Sequence, residues 1–368
     1  MNTLHVDLGR QWRGGQSQAL NLIRGLRARG HVADLLAVRQ CPLALRATAE
    51  GVRVATVGCW AARLAATFKL RRLIAEKKYD IVHTHEAHGL TAAWLAGAHS
   101  RLAVVASRRL AYPLGPNRWA LARYRQASRV LAISRFVAES VVASGVPGEK
   151  IAIVHDGVEI PPLHSAPERS QARARWSATP QEPLLGCVGY LLPEKGQEFL
   201  VRAMLGVLAE FPACKLWLAG DGRLRPGLER LASELGVREA VRFLGMVEDV
   251  AQVYAALDVF VFPSLAEPLG SSLLAAMAWG LPVVAVGRGA VPEIIDHERN
   301  GLLVEGPEPS LLSEAMRRLL CDKELAARLG AAARETVAQR FTSDGMVEET
   351  LRHYEQTCAA PRQAGAFS

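Results

Sequence analysis

What most limits the fold of this chain is a rhythm of short apolar runs alternating with helical stretches, which occurs twice. In the first half, LHVDLG (4–9), VADLLAV (32–38), VRVATVG (52–58), DIVHTH (80–85), LAVVAS (102–107) and VLAIS (130–134) have strand length, with helical patterns near 17–29 and 61–78. In the second half, LLGCVG (184–189), CKLWLAG (214–220), VRFLG (241–245), DVFVFPS (258–264) and PVVAVG (282–287) repeat the pattern. Such alternation points to parallel sheets with helices on both faces. The rhythm stops at IPPLHSAPERSQARARWSATPQEP (160–183), a stretch rich in Pro, Ser and charge that reads as a linker with room for a short helix. The expected fold is therefore α/β, with two doubly wound Rossmann-like domains at 1–165 and 184–345 and a linker at 166–183. A C-terminal helix and tail at 346–368 are free to cross back to the first domain. Ligands of such sheets sit beyond the carboxyl ends of the strands, so the expected site is an interdomain cleft.

At 368 residues the chain is long enough for two such domains. Its six cysteines form no C-x-x-C pair, which argues against a disulfide framework or a zinc site and suits a reducing cytoplasm. The start, MNTLHVDLGRQWRGG, lacks the parts of a signal peptide, and no apolar run approaches the roughly 18 residues of a membrane span. A cytoplasmic protein, soluble or peripheral, is expected. Charge is lopsided. Residues 1–165 hold 23 Lys and Arg against 10 Asp and Glu, a net +13, whereas 166–368 hold 21 against 26, a net −5. The basic half suits an anionic surface or acceptor; nucleic acid is disfavoured because no recognition motif accompanies the charge.

Several places carry candidate chemistry. EPLGSSLLAAMAWGLP (267–282) follows the strand DVFVFPS and opens a helix. Backbone N–H groups at a helix start bind anions, and Gly270 lets a ligand approach. Ser271 and Ser272 can donate to phosphate or simply cap the helix. Glu267 is harder to explain as a cap, because a carboxylate beside a phosphate needs other donors, such as sugar hydroxyls. In VGYLLPEKGQEF, Lys195 can place a point charge on a phosphate or simply be solvated. Gly14-Gly15, between the first strand and the first helix, can close on the same group, or be a tight turn only. Gly220-Asp221-Gly222 reads as a structural turn. DIVHTHEAH carries His83, His85, Glu86 and His88; their spacing on a strand does not make a metal site, and a polar loop lining the cleft is the better reading. No D-x-D pair occurs, so Lys195 and helix dipoles, not a metal bridge, are expected to neutralise a diphosphate.

Taken together and in this order, these motifs resemble the retaining glycosyltransferases of family 4, which have the GT-B fold. Gly14-Gly15, DIVHTHEAH, LAISRFVAESVVASGVPGEKIAIVHDGVE, LLPEKG, LAGDG and FPSLAEPLG–AMAWGLPVVA correspond along nearly the whole chain. The resemblance implies a donor site of Gly14, Gly15, Gly189, Tyr190, Lys195, Met246, Val247, Glu267, Leu269, Gly270, Ser271 and Ser272. Glu267 would contact the donor sugar's hydroxyls, while Lys195 and the amides of Leu269 to Ser272 would hold the diphosphate. Catalysis would fall to Glu267, Lys195 and Arg109, with His85, Glu86, Arg108 and Arg109 lining the acceptor side. The implied co-substrate is a UDP- or GDP-linked sugar, with no cofactor and no metal. The implied acceptor is a glycolipid, a lipopolysaccharide core or another lipid-linked glycan. Three positions depart from the family pattern: Ala275 replaces a second glutamate expected on the ribose, Tyr190 an arginine, and Arg109 a histidine. These losses leave open a degenerate sugar-nucleotide binder, and an epimerase of the same architecture is a second alternative.

Two basic-aromatic stretches suit an anionic membrane. WAARLAATFKLRRLIAEKK (60–78) spaces Trp60, Leu64 and Phe68 helically among cations. NRWALARYRQASR (117–129) interleaves Trp119 and Tyr124 with Arg118, Arg123 and Arg125. In both, an apolar side packed on the sheet is the alternative.

Overall fold

A computed structural model describes residues 1–115, 118–163 and 165–359. The chain forms two compact units, Met1–Gly157 joined by the segment from Ser343 onward, and Val158–Thr342. The first holds a parallel sheet of β1 (Asn2–Asp7), β2 (Val32–Val38), β3 (Val54–Val57), β4 (Ile81–Thr84), β5 (Ala103–Arg108), β6 (Arg129–Ala132) and β7 (Ile151–Ile153). The second holds β8 (Leu184–Val188), β9 (Lys215–Ala219), β10 (Val241–Gly245), β11 (Val259–Phe262), β12 (Val283–Val286) and β13 (Leu302–Val304). Their orders are β3-β2-β1-β4-β5-β6-β7 and β10-β9-β8-β11-β12-β13, so each sheet reverses its winding once, between β1 and β4 and between β8 and β11. These are two doubly wound, Rossmann-like sheets.

Central strands are buried along their length, which explains why they read as continuous apolar runs; Val283 to Val286 are all inaccessible. The helices between them bury one stripe each. The helix Gln197–Leu208 places Leu200, Val201, Met204 and Val207 on the second sheet and meets the helix Pro309–Cys321 through Leu312 and Met316.

The domain limits differ from those expected. The first boundary falls at Gly157, not 165, and the stretch expected to link the domains is part of the second unit. Ala166–Arg175 is a helix with a Ser165–Glu168 capping box. Its Arg173 is buried, donates to the Ala256 carbonyl at 2.9 Å and pairs with Asp258 at 2.7 Å. The short helix allowed for in this stretch is thus anchored by an ion pair and not by an apolar face, which ties it to the second unit.

The C-terminal helix starts at Ser343, not 346, and lies in the first unit; the expected tail beyond Ala359 lies outside the described residues. A Cβ on Gly25, in the helix Gly14–Ala28, would lie 2.4 Å from Val347 Cγ2, so the two helices touch where glycine leaves room. β7 and β13 escaped the sequence reading, since three residues are too few to show a period.

Candidate functional site

In the second unit the candidate residues gather at the carboxyl ends of β8 and β11, the point where the strand order reverses. Gly196 makes this possible: it adopts φ +68°, and a Cβ there would lie 2.1 Å from the Pro263 carbonyl oxygen. No other residue suits both the left-handed backbone and the close approach. With the loops in contact, Lys195 Nζ reaches Glu267 Oε2 at 2.6 Å, and the Ser264 hydroxyl donates to the same oxygen at 3.0 Å. Glu267 is buried, and its own carbonyl accepts the Ala290 N–H at 2.9 Å. The backbone therefore fixes this carboxylate before any ligand does.

Three residues later Gly270 turns at φ +112° and caps the helix Ser271–Ala278. Neither Ser271 nor Ser272 acts as the cap, contrary to the capping alternative, and the capping residue has no side chain to offer the first-turn N–H groups. Tyr254 donates its hydroxyl to the Ser272 carbonyl at 3.2 Å and steadies this end. Leu269 is buried beneath the turn, while Ser271 is exposed. Gly189 and Tyr190 follow β8, with the Tyr190 carbonyl accepting from Gln197 Nε2 at 3.0 Å. Met246, 66% exposed, and the half-buried Val247 follow β10. Ala275 is half-buried in the helix after Gly270. The Gly220-Asp221-Gly222 turn packs on the backbone of the β8 loop: the Leu191 N–H donates to the Asp221 carbonyl at 3.0 Å.

The first unit has its own site at its own switch point. An open pocket of about 1100 Å³ lies at the carboxyl ends of β1 and β4, lined by Arg10, Arg13, Arg63, Arg108, Arg109 and Glu86 among others. Gly14 and Gly15 are not a loop before the helix but its first turn, and a Cβ on Gly15 would sit 3.7 Å from Arg109 Cδ. Arg109 Nε donates to the buried Asp156 carboxylate at 3.0 Å. Burial pushes the Asp156 carboxyl above its usual range, and the arginine opposes the shift. Glu86 is committed to structure as well: it caps the helix Ala87–Leu95 by accepting the His88 and Gly89 N–H groups, and takes the Leu8 N–H at 3.1 Å. Its carboxyl is also pushed up, first by burial.

Behind Arg109 lies a buried histidine cluster whose proton positions follow from its ends. The Val32 carbonyl can only accept, so the Thr3 hydroxyl donates to it at 2.9 Å and accepts from His5 Nε2 at 3.1 Å. His5 Nδ1 therefore accepts from His85 Nε2 at 2.9 Å, and His85 Nδ1 faces the Arg109 guanidinium at 3.5 Å. His83 bonds Ser107 Oγ at 2.7 Å and the Tyr354 hydroxyl of the C-terminal helix. The ligating atoms of His5, His83 and His85 lie within 4.8 Å of one another, as metal ligands would. Every ring nitrogen is nonetheless already engaged, so a cation would have to displace this chain. Burial holds His83 and His85 neutral, far below the usual histidine range, and lowers His5 to about 3. Of these three His85 reaches the pocket, which His88 also lines, whereas His83 is sealed beneath the C-terminal helix. Nothing in the residues around His5, Asp156, Ser107 or Tyr354 marked them for this network.

The residues expected at a membrane divide. Trp60 is 91% exposed and Trp119 is 66% exposed, edge-on to Trp94; Arg118 and Arg125 are exposed. Tyr124 is not: it is buried, and its ring lies 5.9 Å below the Arg108 guanidinium. Arg123 is half-buried and donates to Thr91 Oγ1 at 2.6 Å.

Comparison with known proteins gives this geometry a family. Residues 12–160 match glycosyltransferase family 4, and residues 182–322 match the glycosyl transferases group 1. A GDP-mannose-dependent alpha-(1-6)-phosphatidylinositol monomannoside mannosyltransferase of Mycobacterium tuberculosis is 30% identical over 292 residues, spanning 75% of this chain and 76% of that one. The chain belongs to glycosyltransferase family 4. An uncharacterized glycosyltransferase of Methanocaldococcus jannaschii is 33% identical over 236 residues, covering 62% of this chain and 60% of its own length. Among solved structures, HepE of Anabaena in complex with UDP and glucose superposes with a TM-score of 0.85 at 22% identity, over 96% of this chain and 99% of that one. That likeness places the family 4 chain in the GT-B fold.

Proposed function

We propose that this chain is a retaining, metal-independent glycosyltransferase that moves a hexose from a UDP- or GDP-linked sugar to a glycolipid or other lipid-linked glycan. The observation that carries the reading is the Lys195–Glu267 pair, 2.6 Å apart beside the start of the helix Ser271–Ala278, whose Gly270 cap offers no side chain. A diphosphate entering at that helix start takes the lysine, with N–H groups and the helix dipole adding to its charge. Glu267 then has lone pairs free for sugar hydroxyls, and the Ser264 hydroxyl still holds it in place. Stabilising the departing nucleotide diphosphate is the main rate term such a site offers. Retention follows if the leaving phosphate accepts the acceptor's proton on the sugar's front face, which needs no protein nucleophile.

Two relatives support the ligand classes: the mycobacterial protein is named for GDP-mannose and a phosphatidylinositol mannoside, and HepE was solved with UDP and glucose. A place at the inner face of a membrane fits the first unit. Trp60, Leu64 and Phe68 stand out at 91%, 57% and 66% exposure, four residues apart, with Lys69, Arg71 and Arg72 alongside. Ala275, where the family pattern has a glutamate, favours the degenerate binder as a second reading. One assay separates the readings: UDP-glucose or GDP-mannose is incubated with vesicles containing phosphatidylinositol or lipopolysaccharide. Sugar transferred with retained anomeric configuration supports the proposal; epimerised donor, or donor bound but neither transferred nor hydrolysed, overturns it.

A further inference from the structure

Arg108 ends β5 at the floor of the first unit's pocket and is only 7% exposed. It gives Nη2 to the Tyr112 carbonyl and stacks over Tyr124. Its Nε is buried with no acceptor, and it has no carboxylate partner among the described residues. A buried guanidinium without a counter-charge is costly. The same molecule shows how such a group is usually compensated: the buried Arg173 pairs with Asp258, and Arg109, beside Arg108, pairs with Asp156. Arg10 and Arg63 line the same pocket. Arginines outnumber carboxylates on the pocket's lining, where Glu86 stands against Arg10, Arg63, Arg108 and Arg109. Glu86 is held by three backbone N–H groups and cannot turn toward Arg108.

We infer that this pocket binds a phosphate group carried by the acceptor, with Arg108 as its fixed anchor and Arg10 and Arg63 closing on it from the rim. The assignment rests on the proposed transfer reaction for the word acceptor, but the phosphate chemistry stands on the pocket alone. Guanidinium groups converging from several sides match a phosphate, which presents oxygens in all directions and carries up to two charges. Arg108 cannot be exchanged for lysine here, because the planar group both stacks on Tyr124 and donates sideways.

The experiment is calorimetry on the full chain saturated with whichever of UDP or GDP it binds, titrated with glycerol 3-phosphate and, as control, glycerol. The wild type should bind the phosphate ester and ignore glycerol, while Arg108→Gln should bind it at least tenfold more weakly and keep its nucleotide affinity within twofold. Arg63→Gln, on the exposed start of its helix, should weaken it about threefold and guards against a folding defect in the buried variant. Vesicles of phosphatidylglycerol in phosphatidylcholine then identify the source. Binding weakened by Arg108→Gln means a lipid headgroup phosphate; binding equal for both proteins, with the glycerol 3-phosphate difference intact, means a soluble phosphate ester. Two results overturn the inference: a wild type that distinguishes neither the ester from glycerol nor itself from Arg108→Gln on vesicles, or glycerol 3-phosphate displaced by the nucleotide, which would assign the arginines to the donor. Absence of any nucleotide binding would instead overturn the transferase reading and leave the phosphate test standing.

Discussion

The two switch points do comparable work with different materials. In the second unit a glycine at φ +68° lets two loops touch, and one ion pair at 2.6 Å does the rest. In the first, a line of side chains runs inward from Arg109 through His85 and His5 to Thr3, and almost all of it is buried. A site held by backbone contacts leaves its side chains free to exchange partners when a ligand arrives. One held by buried, mutually bonded side chains is rigid but sensitive to protonation. The comparison therefore predicts different ways of failing.

The largest expected effect is a response to acid confined to the first unit. His5, His83 and His85 are held neutral, with folded-state values far below the unfolded value of 6.5. The unfolded chain then binds more protons, so stability is full above pH 6.5 and falls as pH drops toward the folded values, near 3 for His5. Each histidine contributes up to about 1.4 kcal/mol per pH unit, and three together about 4. Asp7, Glu86 and Asp156 have values raised by burial and act in the opposite sense, from the ordinary carboxylate range up to those raised values, so the histidine effect is a net one. Amide exchange, corrected for intrinsic rate, should show β1, β4 and β5 losing protection between pH 7.5 and 5.5 while β8, β11 and β12 keep theirs. Equal loss in both sheets would remove the distinction.

Next in size is turnover. Lys195→Ala and Glu267→Ala should each lower it by about 100-fold or more, the scale of removing an oriented charge from a transition-state site. Steady-state rates within a few-fold of wild type for both would break the second unit's half of the comparison.

The contrast also explains what was legible. The places of Lys195, Glu267 and Gly270 at strand-to-helix turns were readable because a glycine at such a turn and a charge beside it are local signals. The parallel sheets were readable because strands buried on both faces are apolar along their length. His5, Asp156 and Tyr354 could not be found this way: they lie in β1, after β7 and in the C-terminal helix, and only the folded first unit brings them together. Tyr124 misled because alternation of aromatic and basic residues looks the same whether the ring faces solvent or lies under a guanidinium. Composition allows a short helix at Ala166–Arg175 but not its attachment to the second unit, because its buried anchor is the charged Arg173.

Smaller effects sharpen the account. Ala275→Glu should tighten the free nucleoside diphosphate by about 1–2 kcal/mol, the scale of hydrogen bonds to a charged group. Calorimetry giving weaker binding with the fold intact would mean the pocket is shaped around the alanine. At the surface, each exposed cation near an anionic bilayer contributes about 1 kcal/mol, screened by salt. Sedimentation with anionic vesicles, and little with neutral ones, should therefore fall when Trp60 and Phe68 are changed to Ser together with Arg118→Ser and Arg125→Ser. Equal binding to neutral vesicles would assign the first unit's charge to its pocket alone.

The central claim is that the second unit's lysine holds a diphosphate, and one calorimetric comparison tests it most directly. Wild type and Lys195→Ala are titrated with the nucleoside diphosphate the protein binds and with the matching monophosphate. The account predicts that the variant loses tenfold or more in affinity for the diphosphate while the monophosphate changes by less than about threefold. A variant that binds both nucleotides as the wild type does would contradict it.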